Sequence, residues 1–325
     1  MYPLKFIPIV KDKIWGGQRL TEIFGKQANG LPNIGESWEL SAYPTDASVV
    51  ENGYLTGKTL PELIEKYGEQ LVGEKVYERF GQNFPLLFKL IDANEDLSIQ
   101  VHPNDEQAKI RHNSFGKTEM WYVLNAEPDA YLIIGFTKNC TKKHYLEALN
   151  NGEVENLLQK VRVKAGDVFF IPSGLVHAIG KGVMVAEIQE SSDITYRIFD
   201  YNRVDANNGN ERQLHTAEAL DVINFSASKN PKIEYQLKAN GESVELVHCD
   251  YFVTNILQFD KEITKHNAHI DTFVVYMCLE GSFEISGGTL NVDVKKGETV
   301  LIPAGLKDLS LIPNEKTTML EIYID

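Results

Sequence analysis

VKAGDVFFIPSGLVHAI, residues 163–179, is echoed by VKKGETVLIPAGLKDLS, residues 294–310, and this pair decides how the chain is read. Each copy sets a glycine before an acidic residue, then an apolar strand, then Ile-Pro-small-Gly-Leu. Gly166 corresponds to Gly297, Pro172 to Pro303 and Gly174 to Gly305, so each copy predicts two turns flanking a buried strand. One supersecondary unit therefore occurs twice. At the position of His177 the second copy carries Asp308, and no segment comparable to SIQVHP (98–103) lies ahead of it. One site is expected, in the first copy, and the second copy is expected to be scaffold.

Outward from the repeat, most of the chain consists of short β-branched or aromatic runs separated by Gly, Pro and Asn, which favours an all-β sandwich or barrel. The run DTFVVYMCLEG (271–281) is apolar on both faces and predicts a strand sandwiched in a core. SFEISGGTLNVDV (282–294), with Gly287 and Gly288 between alternating segments, predicts a tight hairpin. Helices are expected to be few, short and peripheral. One begins after Thr59, a capping residue, with Pro61 in its first turn, and runs towards Tyr67. A pair is expected over 141–161, the first capped by Thr141 and the second carried by Val154, Leu157, Leu158 and Val161 at helical spacing. A fourth follows His215 through Ala219 to Val222. The polar, turn-rich FSASKNPK (225–232) and LKANGES (237–243) suggest a boundary that divides the chain into 1–230 and 231–325.

At 325 residues, two packed cores are expected. The formal charge of −14, with acidic residues scattered among lysines, argues against a nucleic-acid surface and against avid binding to anionic membranes. Any basic substrate pocket must then be local. Cys140, Cys249 and Cys278 are an odd number without CxxC spacing, which suggests neither a disulfide framework nor a thiolate zinc site and fits a reducing cytosol. The apolar run from Phe6 to Val10 is interrupted by Lys11, Asp12 and Lys13, too short for a signal peptide or membrane span, so a cytoplasmic location is expected.

Gln100 and His102, two apart in an extended stretch, point to one face. With Glu119 and His177 they offer amide, imidazole and carboxylate ligands suited to Zn²⁺ or a neighbouring divalent ion.

GDVFFIPSGLVHAI resembles the second metal motif of the cupin superfamily, and IQVHP with KTEMW resembles its divided first motif. More narrowly, IWGG (14–17), GESWELSAYP (35–44), SIQVHP (98–103), GKTEMWY (116–122) and SSDITYRIFDYNR (191–203) together resemble the type I mannose-6-phosphate isomerases, in their shorter bacterial form. The resemblance implies a double cupin of two jelly-roll sandwiches, the first catalytic and the second lacking the metal site. It implies a zinc-dependent interconversion of the sugar phosphates mannose 6-phosphate and fructose 6-phosphate. By motif match His102, Glu119 and His177 are metal ligands, Gln100 matches the amide ligand of longer members, and Arg197 matches the active-site arginine. Ser98, Lys117 and Glu187 fall at positions that line the pocket in relatives, and Arg203 stands where some relatives carry Lys.

Aldose–ketose isomerisation removes a weakly acidic C–H proton while negative charge builds on oxygen, a need that a Lewis acid with an exchangeable position meets. Arg197 stays protonated, so it is assigned to stabilising the enediolate or gripping the phosphate, against the plainer reading of an ion pair with Asp193 or Asp200. Arg203 and Lys117 are candidates for the phosphate dianion. Glu187 and a metal-bound water are equal contenders for carrying the proton, and Glu187 is alternatively a structural partner of Arg197 or Lys117. His112, His144, His215, His248, His266 and His269 are read as surface or capping groups, Trp15 and Trp38 as packing groups, and Gly16 and Gly17 as turn residues. Two other functions compete: an iron-dependent cupin oxygenase and a non-catalytic sugar-phosphate-binding cupin. Gln100 and Glu119 argue for a redox-inert metal and against the first.

Overall fold

In the computed structural model, residues 1–204, 209–229 and 231–325 are described, with only the backbone of His269. Strands dominate, in two antiparallel sandwiches. In the first, a seven-stranded sheet runs in the order Lys232–Ile233, Val168–Ile171, Glu119–Ala126, Val183–Glu190, Leu86–Asp92, Ile34–Leu40, Ile9–Gly17. It faces a five-stranded sheet ordered Leu158–Arg162, Tyr131–Phe136, His177–Ile179, Ile99–Val101, Tyr196–Phe199. The second sandwich pairs another seven-stranded sheet, centred on Thr317–Tyr323 and Val274–Glu280, with a four-stranded one. The Leu4–Ile7 strand joins this second sandwich, Leu4 opposite Leu301, while Lys232–Ile233 pairs back to Val168 and Phe169.

Side-chain alternation decides what each strand offers to which core. Met120, Ala186, Ile188, Phe88 and Leu90 pack into a core shared with Leu301, Leu320 and Ile322, which fastens the two seven-stranded sheets back to back. The intervening residues Trp121, Val123, Val185 and Ile91 point the other way, into the first sandwich, where they meet Leu132, Ile134 and Ile179. Glu119, Glu187 and Lys89 share that inward parity. On the five-stranded sheet Ile99, Val101 and Ala178 face outward onto Tyr145 and Ala219 of two helices, leaving Gln100, His102 and His177 to face inward.

The expected helices form at Leu60–Tyr67, where Thr59 and Glu62 make a capping box, at Lys142–Asn150, capped by the Thr141 side chain, and at Thr216–Val222. The second member of the 141–161 pair does not form. Val154–Leu157 is a single 3₁₀ turn, and Leu158–Arg162 is an edge strand against Tyr131–Phe136. Pairing across that edge overrides a helical spacing that only four residues carried, two of them β-branched. A further helix, Asp105–His112, carries a capping box from Asn104 and Gln107 that is legible in PNDEQ.

DTFVVYMCLEG forms the buried strand Val274–Glu280 between two neighbours. The hairpin after it is wider than a tight turn, with 286–291 between Ile285 and its partner Val292. Gly166 and Gly297 both adopt left-handed φ, +90° and +81°, ahead of their equivalent strands. Gly16 and Gly17 are not turn residues. They end the strand Ile9–Gly17, and a Cβ at Gly16 would lie 2.5 Å from the backbone nitrogen of Gly35. Close approach of a neighbouring backbone explains Gly16, and the Asp92 side chain, whose Oδ2 would lie 2.6 Å from a Cβ, explains Gly17.

Candidate metal centre and active site

Gln100 lies directly opposite His177 in the five-stranded sheet, and Glu119 lies opposite Ile171 in the facing one. Their shared inward parity brings His102, Glu119 and His177 together at the bottom of the first sandwich, each essentially without solvent exposure. Donor atoms of the three lie within 4.8 Å of one another. The Nε2 atoms of His102 and His177 are 3.1 Å apart, and Glu119 Oε1 and Oε2 lie 3.4 Å and 3.7 Å from His177 and His102 respectively.

Each imidazole is oriented from behind. His102 Nδ1 sits 2.9 Å from the Ile194 carbonyl and His177 Nδ1 sits 2.8 Å from the Leu175 carbonyl. A carbonyl only accepts, so both Nδ1 atoms carry the proton and both Nε2 lone pairs face the same point. Burial, then the Lys117 ammonium, lowers the His102 pKa well below the usual value, and burial takes His177 down to about 4. Both rings are therefore neutral ligands in waiting. Burial, then the Glu187 charge, pushes Glu119 up to about 7 against the pull of Lys117, and neither Glu119 oxygen accepts an aligned hydrogen bond. Two lone pairs facing each other beside a buried carboxylate fit a divalent cation. The Gln100 side chain completes the set, its amide nitrogen 3.4 Å from His177 Nε2, with the oxygen reachable by an amide flip.

Gln100 and Lys117 connect this cluster to a cavity of about 260 Å³ that Ser98, Glu187 and Arg197 also line. Lys117 Nζ stands 3.1 Å from both His102 Nε2 and Glu119 Oε2. Glu187 accepts from Lys89 Nζ at 3.1 Å on one oxygen and from the Trp121 indole at 2.9 Å on the other. Burial would raise the Glu187 pKa, but Lys89 and Lys117 outweigh it and hold the group below the carboxylate range. It is ionised at neutral pH.

Arg197 makes no ion pair with Asp193 or Asp200 among the described residues. Its Nη1 donates to the Gln213 carbonyl at 2.9 Å, its buried Nε has no partner, and burial followed by Arg212 lowers its pKa. Asp200 is taken instead by Arg203 and Arg212, each at 2.5 Å. Arg203 also donates to the Asp96 carbonyl and does not line the cavity, whereas Arg212 does. Sequence reasoning missed Lys89, Lys13 and Arg212, which together with Lys117 and Arg197 give an acidic protein a local cluster of positive charge. It also set aside His215, whose Nδ1 accepts from the Arg197 backbone at 3.1 Å. Trp15 and Trp38 are buried, as packing groups should be, and Trp38 donates to Glu36 at 2.7 Å. His112 bonds Tyr196, His248 and His266 pair with surface carboxylates, and the His269 side chain lies outside the described residues.

Comparison with known proteins fits this geometry. The family model for the phosphomannose isomerase type I catalytic domain matches residues 3–144. Mannose-6-phosphate isomerase ManA of Bacillus subtilis is 38% identical over 95% of both chains. The chain belongs to the type I phosphomannose isomerase family. Mannose-6-phosphate isomerase of Streptococcus mutans is another such relative, 35% identical over 94% of this chain and 93% of its own. The crystal structure of mannose 6-phosphate isomerase from Bacillus subtilis covers all of both chains at 34% identity with a TM-score of 0.84. The all-β double-cupin expectation holds. No described helix of this family member is long and apolar enough to cross a membrane.

Proposed function

We propose that this enzyme interconverts D-mannose 6-phosphate and D-fructose 6-phosphate by moving a proton between C1 and C2 through an enediol, with one Zn²⁺ per chain. The observation that carries the reading is the convergence of two unprotonated imidazole nitrogens on a buried carboxylate that has only Lys117 as a polar partner among the described residues, beside a cation-rich cavity. His102, Glu119 and His177 hold the metal, with Gln100 as fourth ligand, and the neutral amide keeps the site's net charge positive. A zinc ion so held supplies Lewis-acid polarisation of substrate oxygens.

The remaining work falls to the chain's own groups. Lys117, beside the ligands, favours negative charge on the sugar oxygens. Arg197, whose Nε is uncommitted, meets the charge that develops on the enediolate. Arg212, braced on Asp200, presents its charge to the phosphate dianion, with Arg203 supporting Asp200 from outside the cavity. Ser98 bonds a substrate oxygen. Glu187, held ionised and aligned by Lys89 and Trp121, accepts the C–H proton and returns it to the neighbouring carbon.

The test is direct. Purified zinc-loaded protein given mannose 6-phosphate should produce fructose 6-phosphate in a coupled assay. Saturable binding of the sugar phosphate without turnover would leave only a binding protein.

A further inference from the structure

The two sandwiches can be placed in register through the repeat, and the comparison shows that the second kept part of what the first uses. Phe169 corresponds to Val300, and their cross-strand partners are Trp121 and Tyr276. Trp121 pairs with Glu187, and Tyr276 with Glu321. Glu187 pairs with Lys89, and Glu321 with Asn255. The metal ligand Glu119, opposite Ile171, has become Val274, opposite Ile302. So the second sandwich carries an apolar residue where the first has Glu119, while a carboxylate stands at the position of Glu187.

That carboxylate is costly to keep. Glu321 is 3% exposed, and its charge is met by Lys265 at 2.6 Å, which reaches it from the opposite sheet. Replacing a buried ion pair with apolar side chains is often neutral or stabilising, so scaffolding alone does not call for it. The other Glu321 oxygen accepts from Ser243 at 3.1 Å and Asn255 at 3.4 Å. Beside it the fully buried Tyr276 hydroxyl faces the Asn267 amide and the Glu321 carboxylate. Over them opens a cleft of about 650 Å³, lined by Ser243, Asn255, Lys265, Asn267, Glu321 and Tyr323.

We propose that this cleft is a second, non-catalytic binding site for an uncharged polyol of monosaccharide size. A carboxylate accepts from vicinal hydroxyls, the Asn255 and Asn267 amides both donate and accept, and the Tyr323 ring with Ile263 and Ile270 offers a face to C–H groups. The charge balance sets the class. Lys265 is consumed by Glu321, Glu242 is paired with Lys238 and His266 with Asp308, and no arginine lines the cleft among the described residues, so a phosphate dianion finds no uncommitted partner. The site stands on the second barrel alone and does not depend on the catalytic assignment.

Isothermal titration with D-mannose tests it on metal-loaded enzyme whose catalytic cavity is first saturated with the equilibrated sugar-phosphate pair. Saturable millimolar binding is expected to persist under that block. Ser243→Ala and Asn255→Leu should each weaken it about tenfold, the worth of one hydrogen bond, with isomerisation kinetics within about twofold of the parent. Ser243 is the safer substitution for folding, and retained isomerisation reports that either variant is intact. The proposal is overturned by an absence of saturable binding up to roughly 100 mM. It is equally overturned by binding that vanishes once the catalytic cavity is filled, by indifference to both substitutions, or by preference for a sugar phosphate over the neutral hexose.

Discussion

His102 and His177 face each other through their Nε2 atoms at 3.1 Å, and neither has a proton to give the other, because both Nδ1 atoms are tied to backbone carbonyls. Lys117 Nζ, 3.1 Å from His102 Nε2, meets one of the two lone pairs, and a cation between the rings would meet both. Metal binding should therefore stabilise the fold as well as serve the chemistry. Removing the metal with a chelator should lower the midpoint of thermal unfolding by several degrees, and restoring Zn²⁺ should recover it, since a ligand held only by the native state adds RT ln(1 + [L]/Kd). An unchanged midpoint would mean that the rings tolerate each other for another reason.

Arg197 and His177 should fail differently. Arg197→Ala removes charge from the cavity but touches no proposed ligand, so metal content should stay at the parent level while kcat falls at least about 100-fold. His177→Ala removes a proposed ligand and should lose metal and activity together. Metal analysis and steady-state kinetics on the same preparations separate the two. Parent-like kcat in Arg197→Ala would show that the arginine has no part in the chemistry.

Lys89 is buried, 3.1 Å from Glu187 and 2.6 Å from the Gln189 side-chain oxygen. Burial disfavours its charge, but Glu187 and Glu36 outweigh this and raise its pKa. Lys89→Met should leave Glu187 buried without its main counter-charge, at a cost of about 3–5 kcal/mol in unfolding free energy. It should also shift the acid limb of the kcat profile upward, because Glu187 would protonate more readily. Denaturant titration and a pH–rate profile read the two effects, and an unmoved acid limb would separate Lys89 from Glu187.

Glu190 supplies the clearest pH dependence of stability. Burial, then the neighbouring Asp105 charge, raises its pKa to about 8, against the Thr118 amide that donates to it at 2.6 Å. The native state thus binds this proton more tightly than the unfolded chain does. Its stabilising effect is full below the ordinary carboxylate pKa and declines as pH rises, disappearing above about 8. Glu190→Gln should flatten the fall in stability between pH 5 and 8, measured by urea unfolding across that range. A slope identical to the parent's would assign the decline to other groups.

The convergence of His102, Glu119 and His177 was legible because such residue types are rare in apolar strands and because strand parity can be counted along SIQVHP. The Leu60–Tyr67 helix was legible from Thr59 and Pro61, since a cap is local chemistry. Lys89 was not, because one lysine inside FPLLFKLID gains meaning only when the register sets it opposite Glu187. Arg203 and Arg212 illustrate the same limit: both contact Asp200, and only the path of the chain decides which one reaches the cavity. The strand at Leu158–Arg162 was concealed by a spacing that suits a helix, with its pairing partner more than twenty residues away. Gly16 and Gly17 looked like turn residues because what excludes a side chain there, the Gly35 backbone and the Asp92 side chain, comes from different segments.

The account rests on a divalent cation held by His102, Glu119 and His177 and required for turnover. The most direct measurement is a titration of metal-stripped protein with Zn²⁺, following mannose 6-phosphate conversion by coupled assay and bound metal by elemental analysis. Activity should rise linearly from near zero and level off at about one metal per chain. Full turnover by protein shown to contain no metal would contradict it.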